Sequence, residues 1–219
     1  MCGILGIVSG DIDDGQFKSA LKSIAHRGPD SHGIYSDKGV SLGHQRLSII
    51  DLSKKASQPM RNEKGDKWIV YNGELYNFKQ LREDLEKKGY SFSSCSDTEV
   101  ILSGYEEWGE DCVKRFNGMF AFAIWDSKKR SLFIARDRTG IKPLYYYFNN
   151  GHLVFASEIK SILELSTVKR EINKAALNQY LSFRFNSGEE TFFKNIFRLM
   201  PGHFMKTGDI SLKACADDS

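Results

Sequence analysis

The cysteine at position 2, directly after Met1, carries the most distinctive chemistry in this sequence. A small second residue generally permits removal of Met1, which leaves Cys2 with both a thiol and a free α-amino group. The reference pKa values of these groups, about 8.5 and about 7.7 to 8.0, are close enough for the amine to act as base for its own thiol. Position alone favours a small buried hydrophobic residue, so other motifs must decide.

Eight short motifs in this sequence occur together and in a fixed order. They are Met1–Ile7, His26–Asp30, Gly43–Asp51, Asn72–Asn77, Ser96–Val100, Gly118–Ala123, Ala135–Tyr146 and Ala156–Lys160. Through them the sequence resembles, over residues 1 to about 206, the glutaminase domain of glutamine-dependent asparagine synthetases. One such motif could arise by chance, but eight in the right order could not reasonably do so.

The resemblance implies a catalytic role for three residues. Cys2 is expected to attack the γ-carboxamide of glutamine, expel ammonia and form a γ-glutamyl thioester that water hydrolyses. The side-chain amide of Asn72 and the backbone N–H of Gly73 are expected to stabilise the tetrahedral oxyanion, and one such donor is typically worth about 10²- to 10³-fold in rate. Without the resemblance, an Asn-Gly pair between apolar runs is the commonest hairpin signal.

The resemblance also implies how the substrate is held. Arg46 can bind the α-carboxylate of glutamine with its planar fork, and Asp97 can pair with the α-ammonium, with Glu74 close by. Taken alone, Arg46 is more simply a surface cation and Asp97 a helix cap. The backbone of four residues is expected to line the glutamine pocket: Leu47, Ser48, Ile49 and Ile50. Three other motif residues are expected to support the site: His26, Arg27 and Asp30.

The expected fold follows from the same resemblance. It is α+β, a four-layer α/β/β/α sandwich of the N-terminal nucleophile hydrolase type with two stacked antiparallel sheets. We expect the glutaminase domain to span residues 2–190. Residues 191–219 are expected to form an extension leading towards a synthetase domain that this chain lacks.

Local patterns predict several elements directly. Gly3–Val8 is an apolar run suited to a buried strand, and helical spacing of apolar residues follows the caps Asp13 and Asp14. Asn77 and Asp97 are predicted to cap two further helices. Five later strands are predicted at 68–71, 119–125, 131–135, 144–148 and 153–156. The polar stretch 126–130 predicts a hairpin, and the continuous apolar run 120–125 predicts a sheet covered on both faces.

Composition excludes several classes of function. The 31 basic and 28 acidic residues give a net charge of +3 and form no long basic block, so nucleic acid is not an expected partner. No apolar run approaches the roughly 20 residues of a membrane helix, and no signal peptide is recognisable. The four cysteines lack CxxC spacing, which argues against zinc and a disulfide framework. We therefore expect a soluble, cytoplasmic protein with no metal site.

The chain lacks the Ser-Gly-Gly-Leu-Asp-Ser type loop with which asparagine synthetases bind ATP, and it has no Walker-type phosphate loop. We therefore expect no cofactor here, with ATP and Mg²⁺ required only by the missing synthetase domain. The expected partners are L-glutamine and a synthetase domain or subunit, and the resemblance leaves a homodimer open. An excised piece, a shortened gene product and a separate subunit are equally compatible with the sequence.

Two groups of alternatives remain at this stage. The ammonia could serve amidation of another carboxylate or a sugar, as in the glucosamine-phosphate and phosphoribosylamine branches of the same superfamily. Alternatively, the chain could be a catalytically idle module that binds glutamine or regulates a partner. The joint presence of the five predicted site residues argues against an idle module: Cys2, Arg46, Asn72, Gly73 and Asp97.

Overall fold

The computed structural model describes residues 1–8, 13–149 and 151–207 and the backbone of 209–214. Two six-stranded antiparallel sheets form the centre of the molecule. The first sheet contains, in spatial order, β10 (Ile196–Arg198), β8 (Tyr145–Asn149), β9 (His152–Ala156), β1 (Gly3–Val8), β3 (Val40–Arg46) and β2 (Ser31–Asp37). The second contains β12 (Asp209–Ala214), β11 (His203–Lys206), β7 (Ser131–Arg136), β6 (Gly118–Asp126), β5 (Lys67–Leu75) and β4 (Met60–Arg61).

The outer faces of both sheets are covered by α1 (Asp14–Ser23), α2 (Phe78–Glu86), α3 (Asp97–Trp108), α4 (Cys112–Arg115) and α5 (Ile159–Leu163). Helices α1 and α5 pack on the first sheet through one apolar core, and α2, α3 and α4 pack on the second through another. A further helix, α6 (Lys174–Phe183), follows these helices in the chain and belongs to neither of these helix-covered cores. In the part of the chain described, no helix is long and apolar enough to cross a membrane.

A third apolar core lies between the two sheets and confirms the predicted four-layer arrangement. Side chains alternate between the faces of a strand, so each strand supplies two cores. In β1, Ile4 belongs to the core between the sheets, whereas Leu5 packs under the outer helices. Val70 of β5 likewise belongs to the inner core, and Tyr71 to the outer one. The same alternation decides which polar side chains face each other across the sandwich.

The predicted β1 strand and the cap of α1 are confirmed, because Asp13 accepts a hydrogen bond of 2.8 Å from the Gln16 N–H. The prediction that the Asn77 side chain caps α2 is wrong, because this side chain makes no capping hydrogen bond. Asn77 precedes α2, but its amide donates to the Arg115 carbonyl and accepts from the Asn117 N–H. This side chain therefore fastens α2 to the loop before β6 instead of capping the helix.

The predicted cap at Asp97 is also wrong, for a reason that bears on the site. Ser96 caps α3 by accepting a hydrogen bond of 3.1 Å from the Thr98 N–H, and Asp97 is the first residue of the helix. Because Ser96 takes the capping position, the Asp97 Oδ2 can bond groups on β5 instead.

The Asn72-Gly73 pair lies inside β5 and does not form a turn. Strand β5 continues past the predicted end at residue 71 because β6 pairs with it along its whole length, with Asn72 opposite Ala121 and Gly73 opposite Phe120. A Cβ on Gly73 would stand 2.3 Å from the Met119 carbonyl oxygen. The glycine is therefore required by the close approach of two strands, and the hairpin interpretation is wrong.

The segment after residue 190 supplies strands that sequence patterns do not predict. Strand β10 pairs with β8 in the first sheet, and β11 pairs with β7 in the second. These short strands carry no alternation long enough to identify, and tertiary pairing defines them. The domain boundary after residue 190 stays a prediction, and residues 215–219 lie outside the described part of the chain.

Candidate active site

The candidate nucleophile Cys2 lies at the start of β1, at the edge of the space between the sheets. It precedes Ile4 by two residues, so strand alternation turns its side chain towards the second sheet. Its Sγ lies 3.4 Å from the Leu47 nitrogen and 3.5 Å from the Leu47 carbonyl oxygen. The Arg27 Nε donates to the Cys2 carbonyl at 3.0 Å, and Arg27 is itself paired with Glu158 at 2.9 Å. These contacts fix the backbone that carries the thiol.

Burial is the main electrostatic influence on Cys2. It raises the pKa of the thiol, and the hydrogen bond with Leu47 opposes that rise only in part. A thiol whose pKa is raised forms little thiolate near neutral pH. Attack by Cys2 therefore needs a base close to the sulfur, which is the role that a free α-amino group on the same residue would fill.

Beyond its short pairing with β4 at Trp68 and Ile69, the edge of β5 that faces away from β6 carries a row of hydrogen-bond donors. The N–H groups of alternate residues in a strand point to the same side. The Tyr71 N–H donates to the Gln58 side chain at 2.6 Å, and the Leu75 N–H donates to Asp97 at 2.9 Å. By this alternation the Gly73 N–H points to the same edge, between those two donors.

Asn72 presents a further donor to the space between the sheets. It follows Val70 by two residues, so its side chain lies on the face of β5 that meets the first sheet. The side chain is buried, and its Nδ2 has no hydrogen-bond partner among the described residues. An unpaired buried donor costs free energy in a folded protein, and a ligand that accepts its hydrogen bond would recover that free energy.

Asp97 is a buried carboxylate anchored to strand β5. Its Oδ2 accepts from the Tyr71 hydroxyl at 2.8 Å and from the Leu75 N–H at 2.9 Å. Burial raises the pKa of the Asp97 carboxyl, because the hydrogen bonds that lower it do not offset desolvation. In the described residues no cation forms a salt bridge with Asp97, so its ionised form is suited to receive an ammonium from a ligand.

Arg46 is buried at the end of β3 and is not a surface cation. Its guanidinium donates to the carbonyls of Asp51 and Ser53, at 2.6 and 3.0 Å, and to the Ser57 hydroxyl at 3.4 Å. These bonds tie Arg46 to the loop that follows β3. A guanidinium has five N–H donors, so these three bonds leave donor capacity for a carboxylate.

All ten residues predicted to react with or bind glutamine line one cavity. They are Cys2, Arg46, Leu47, Ser48, Ile49, Ile50, Asn72, Gly73, Glu74 and Asp97. They come from β1, from β3 with its following loop, from β5 and from the first turn of α3. Their individual roles stay predictions. Of the supporting residues, His26 contacts Glu158 at 2.9 Å, and Asp30 accepts from the Ser48 N–H at 2.8 Å.

The other residues that line the cavity, to which the sequence assigned no role, include Tyr71, His44 and Lys142. Tyr71 orients Asp97 through its hydroxyl, and His44 lies wholly buried beside the Tyr71 carbonyl. Lys142 is also buried, with its Nζ 3.2 Å from the Met1 Sδ. His44 and Lys142 both fall within motifs of the resemblance, but a motif does not reveal which of its side chains face the cavity.

Two stacked antiparallel sheets between helical layers, with a cysteine at the entrance to the space between them, define an N-terminal nucleophile hydrolase type of sandwich. The sequence profile of the glutamine amidotransferase domain family matches residues 1–215. The chain therefore belongs to that family.

Two asparagine synthetases are similar to this chain in sequence. The chain is 41% identical over 222 residues to asparagine synthetase [glutamine-hydrolyzing] 1 of Bacillus subtilis, covering 97% of this chain and 35% of the relative. It is 40% identical over 221 residues to a putative asparagine synthetase of Methanocaldococcus jannaschii, covering 91% of this chain and 42% of the relative. The chain thus spans roughly two fifths or less of the length of these relatives.

A solved structure shares the fold at lower identity. It is the glutamine phosphoribosylpyrophosphate amidotransferase from Bacillus subtilis, with a TM-score of 0.72 and 20% sequence identity. The match covers 97% of this chain and 48% of that one. At this identity the likeness supports the sandwich fold alone.

Replacement of Asp97 by asparagine tests its predicted contact with the substrate ammonium. Asp97→Asn keeps an acceptor for Tyr71 but removes the charge. Loss of a charge-assisted contact costs about 1.5 to 3 kcal/mol, so KM for glutamine is expected to rise roughly 10- to 100-fold. Steady-state glutaminase kinetics measure this rise. An unchanged KM would contradict the role of Asp97 in binding.

Stability provides the control for Asp97→Asn. Because the carboxyl pKa is raised in the folded state, ionised Asp97 lowers the stability of the fold above the unfolded pKa, and this cost disappears as pH falls through the folded pKa. Removing the charge should therefore leave the thermal midpoint at neutral pH unchanged or higher. A weakened substrate affinity in a protein that is no less stable would locate the effect in binding.

Proposed function

We propose that this chain hydrolyses L-glutamine to L-glutamate and ammonia with Cys2 as nucleophile. The observation that carries the proposal is that Asn72, whose buried Nδ2 has no hydrogen-bond partner among the described residues, lines the same cavity as Cys2. A cavity that only bound glutamine would not need a donor reserved for developing charge beside a nucleophile. Family membership and the similarity to glutamine-hydrolysing relatives support the same reaction.

The steps of the reaction follow from the groups in the cavity. Once Met1 is removed, the Cys2 amine takes the thiol proton and the sulfur adds to the γ-carbonyl carbon of glutamine. Donors on Asn72 and Gly73 stabilise the oxyanion. The C–N bond breaks as the Cys2 ammonium returns its proton to the leaving nitrogen, which departs as ammonia. Water then hydrolyses the thioester through a second oxyanion at the same donors.

Glutamine recognition is part of the proposal. The cationic Arg46, at the end of β3, and the anionic Asp97, at the start of α3, both line the cavity that contains Cys2. A free amino acid carries both an α-carboxylate and an α-ammonium, so it can pair with both side chains at once. Binding at the two α-groups directs the side-chain amide towards the thiol.

A partner that consumes the ammonia completes the proposal. The named relatives are asparagine synthetases more than twice as long as this chain, so we assign the partner to a synthetase part that activates a carboxylate with ATP and Mg²⁺. Helix α6 is a suitable docking surface, because only Ala176 of its side chains is buried. Leu181 and Phe183 of this helix, and Phe185 just after it, are each at least 60% exposed. Cytoplasmic location and a homodimer stay predictions.

An assay with and without ATP tests the proposed function. The chain is expected to convert glutamine to glutamate and ammonia at the same rate whether or not ATP, Mg²⁺ and aspartate are present. The reason is that its sequence contains no recognisable nucleotide-binding loop. Coupled detection of glutamate and direct detection of ammonia give the rate. Failure to hydrolyse glutamine, or hydrolysis that strictly requires ATP, would contradict the proposal.

A further inference from the structure

His44 is a wholly buried imidazole in the cavity that contains Cys2. Its Nε2 lies 3.1 Å from the Tyr71 carbonyl oxygen, which can only accept a hydrogen bond, so Nε2 carries the hydrogen. Burial lowers the pKa of His44 to about 3, and the ring is therefore neutral near pH 7. In this tautomer Nδ1 is a bare acceptor, and it has no hydrogen-bond partner among the described residues.

Strand alternation places His44 on the same inner surface as the nucleophile. His44 pairs with Ile4 across β3 and β1, and Ile4 and Leu42 both belong to the core between the sheets. Cys2 precedes Ile4 by two residues and His44 follows Leu42 by two, so their side chains share this face. Asn72 lies on the facing surface of the second sheet.

Two of the residues that line the cavity therefore each have a buried polar atom without a partner among the described residues, and the two atoms are of opposite kinds. Asn72 Nδ2 is a donor, and His44 Nδ1 is an acceptor. A primary carboxamide presents the complementary pair of groups, because its oxygen accepts hydrogen bonds and its nitrogen donates two. Leaving both protein atoms unpaired costs free energy that a bound amide would recover.

We infer that His44 Nδ1 accepts a hydrogen bond from the γ-amide nitrogen of glutamine and keeps that contact while the nitrogen departs as ammonia. This inference rests on the proposed glutaminase function and assigns a specificity for amide over ester substrates. His44 takes no proton in the step. The proton that the leaving nitrogen gains comes from the Cys2 ammonium, the C–N bond breaks, and the S–C bond of the thioester remains.

Two substrates and two variants separate this contact from a structural role. L-Glutamine has an N–H for His44, whereas the γ-methyl ester of L-glutamate has none. His44→Gln places an amide nitrogen near the position of Nε2, which preserves a donor for the Tyr71 carbonyl but removes the acceptor at the δ position. His44→Asn places an amide oxygen near the position of Nδ1 and so preserves the acceptor. Thermal melting checks that both variants fold.

The wild-type protein is expected to hydrolyse both substrates. His44→Gln should lower kcat/KM for glutamine about 10-fold and for the ester no more than about 2-fold, since a lost hydrogen bond of about 1.4 kcal/mol is one decade in rate. His44→Asn should retain more of the preference for amide over ester than His44→Gln does.

Equal losses on both substrates in a folded His44→Gln protein would overturn the inference, because they would place His44 in the general structure of the site. An unchanged kcat/KM for glutamine in that variant would overturn it too. A wild-type protein that hydrolyses neither substrate would instead contradict the proposed glutaminase function, so the two failures are distinguishable.

Discussion

Cys2→Ala is expected to abolish glutamine hydrolysis while the protein remains folded. The variant keeps the α-amino group of residue 2, the oxyanion donors and the groups that bind substrate, but it cannot form the thioester. Loss of a catalytic nucleophile lowers kcat on the order of 10⁴-fold or more. Ammonia release measured under saturating glutamine gives the effect directly.

Two controls make the Cys2→Ala result specific. Cys95 is an exposed cysteine whose backbone N–H, not its thiol, contacts Asp51, so Cys95→Ala should keep full activity. The thermal midpoint of Cys2→Ala should fall only slightly, because alanine replaces one partly buried thiol. Near parental turnover by a folded Cys2→Ala protein would show that another group is the nucleophile.

Asn72→Ala is expected to cause the second largest loss of glutaminase activity, and this loss is expected in kcat. The charge that Asn72 Nδ2 stabilises exists only in the transition state and the tetrahedral intermediate, so ground-state binding should change little. Removing one oxyanion donor typically lowers kcat about 10²- to 10³-fold. Single-turnover and steady-state measurements together separate kcat from KM.

The stability of Asn72→Ala carries independent information. Asn72 Nδ2 has no partner in the described fold, so its removal breaks no hydrogen bond of that group and relieves an unpaired buried donor. We therefore expect a thermal midpoint close to that of the parent. A rise in KM with unchanged kcat, or a severe loss of stability, would indicate that Asn72 holds substrate or structure instead of the oxyanion.

Sequence patterns were sufficient to predict the strands that have a strong local pattern of apolar residues. The apolar run Gly3–Val8 and the fully apolar stretch of β6 identify strands covered on both faces, and both are confirmed. The set of site residues came from the resemblance to the glutaminase domain that the motifs support, and not from local patterns. All ten line one cavity, although they are spread from position 2 to position 97.

The partners of each side chain could not be predicted in the same way. Asp97 was expected to cap α3, but Ser96 takes that role, and the Tyr71 hydroxyl of β5 donates a hydrogen bond to the Asp97 carboxylate. The burial of His44 depends on tertiary packing. So do the hydrogen bonds that Arg46 donates to carbonyl groups of the loop after β3. Short strands such as β10 exist because a neighbour pairs with them, so no local pattern identifies them.

The central claim is that Cys2, exposed by removal of Met1, is the nucleophile that attacks glutamine. Intact mass spectrometry of the active protein, before and after treatment with an electrophilic analogue of glutamine, tests it most directly. The account predicts a protein lacking Met1 that gains one covalent adduct, located on Cys2 by peptide mapping and suppressed by excess glutamine, with activity lost in step with labelling. Full glutaminase turnover by protein that retains Met1, or inactivating adducts on a residue other than Cys2, would contradict it.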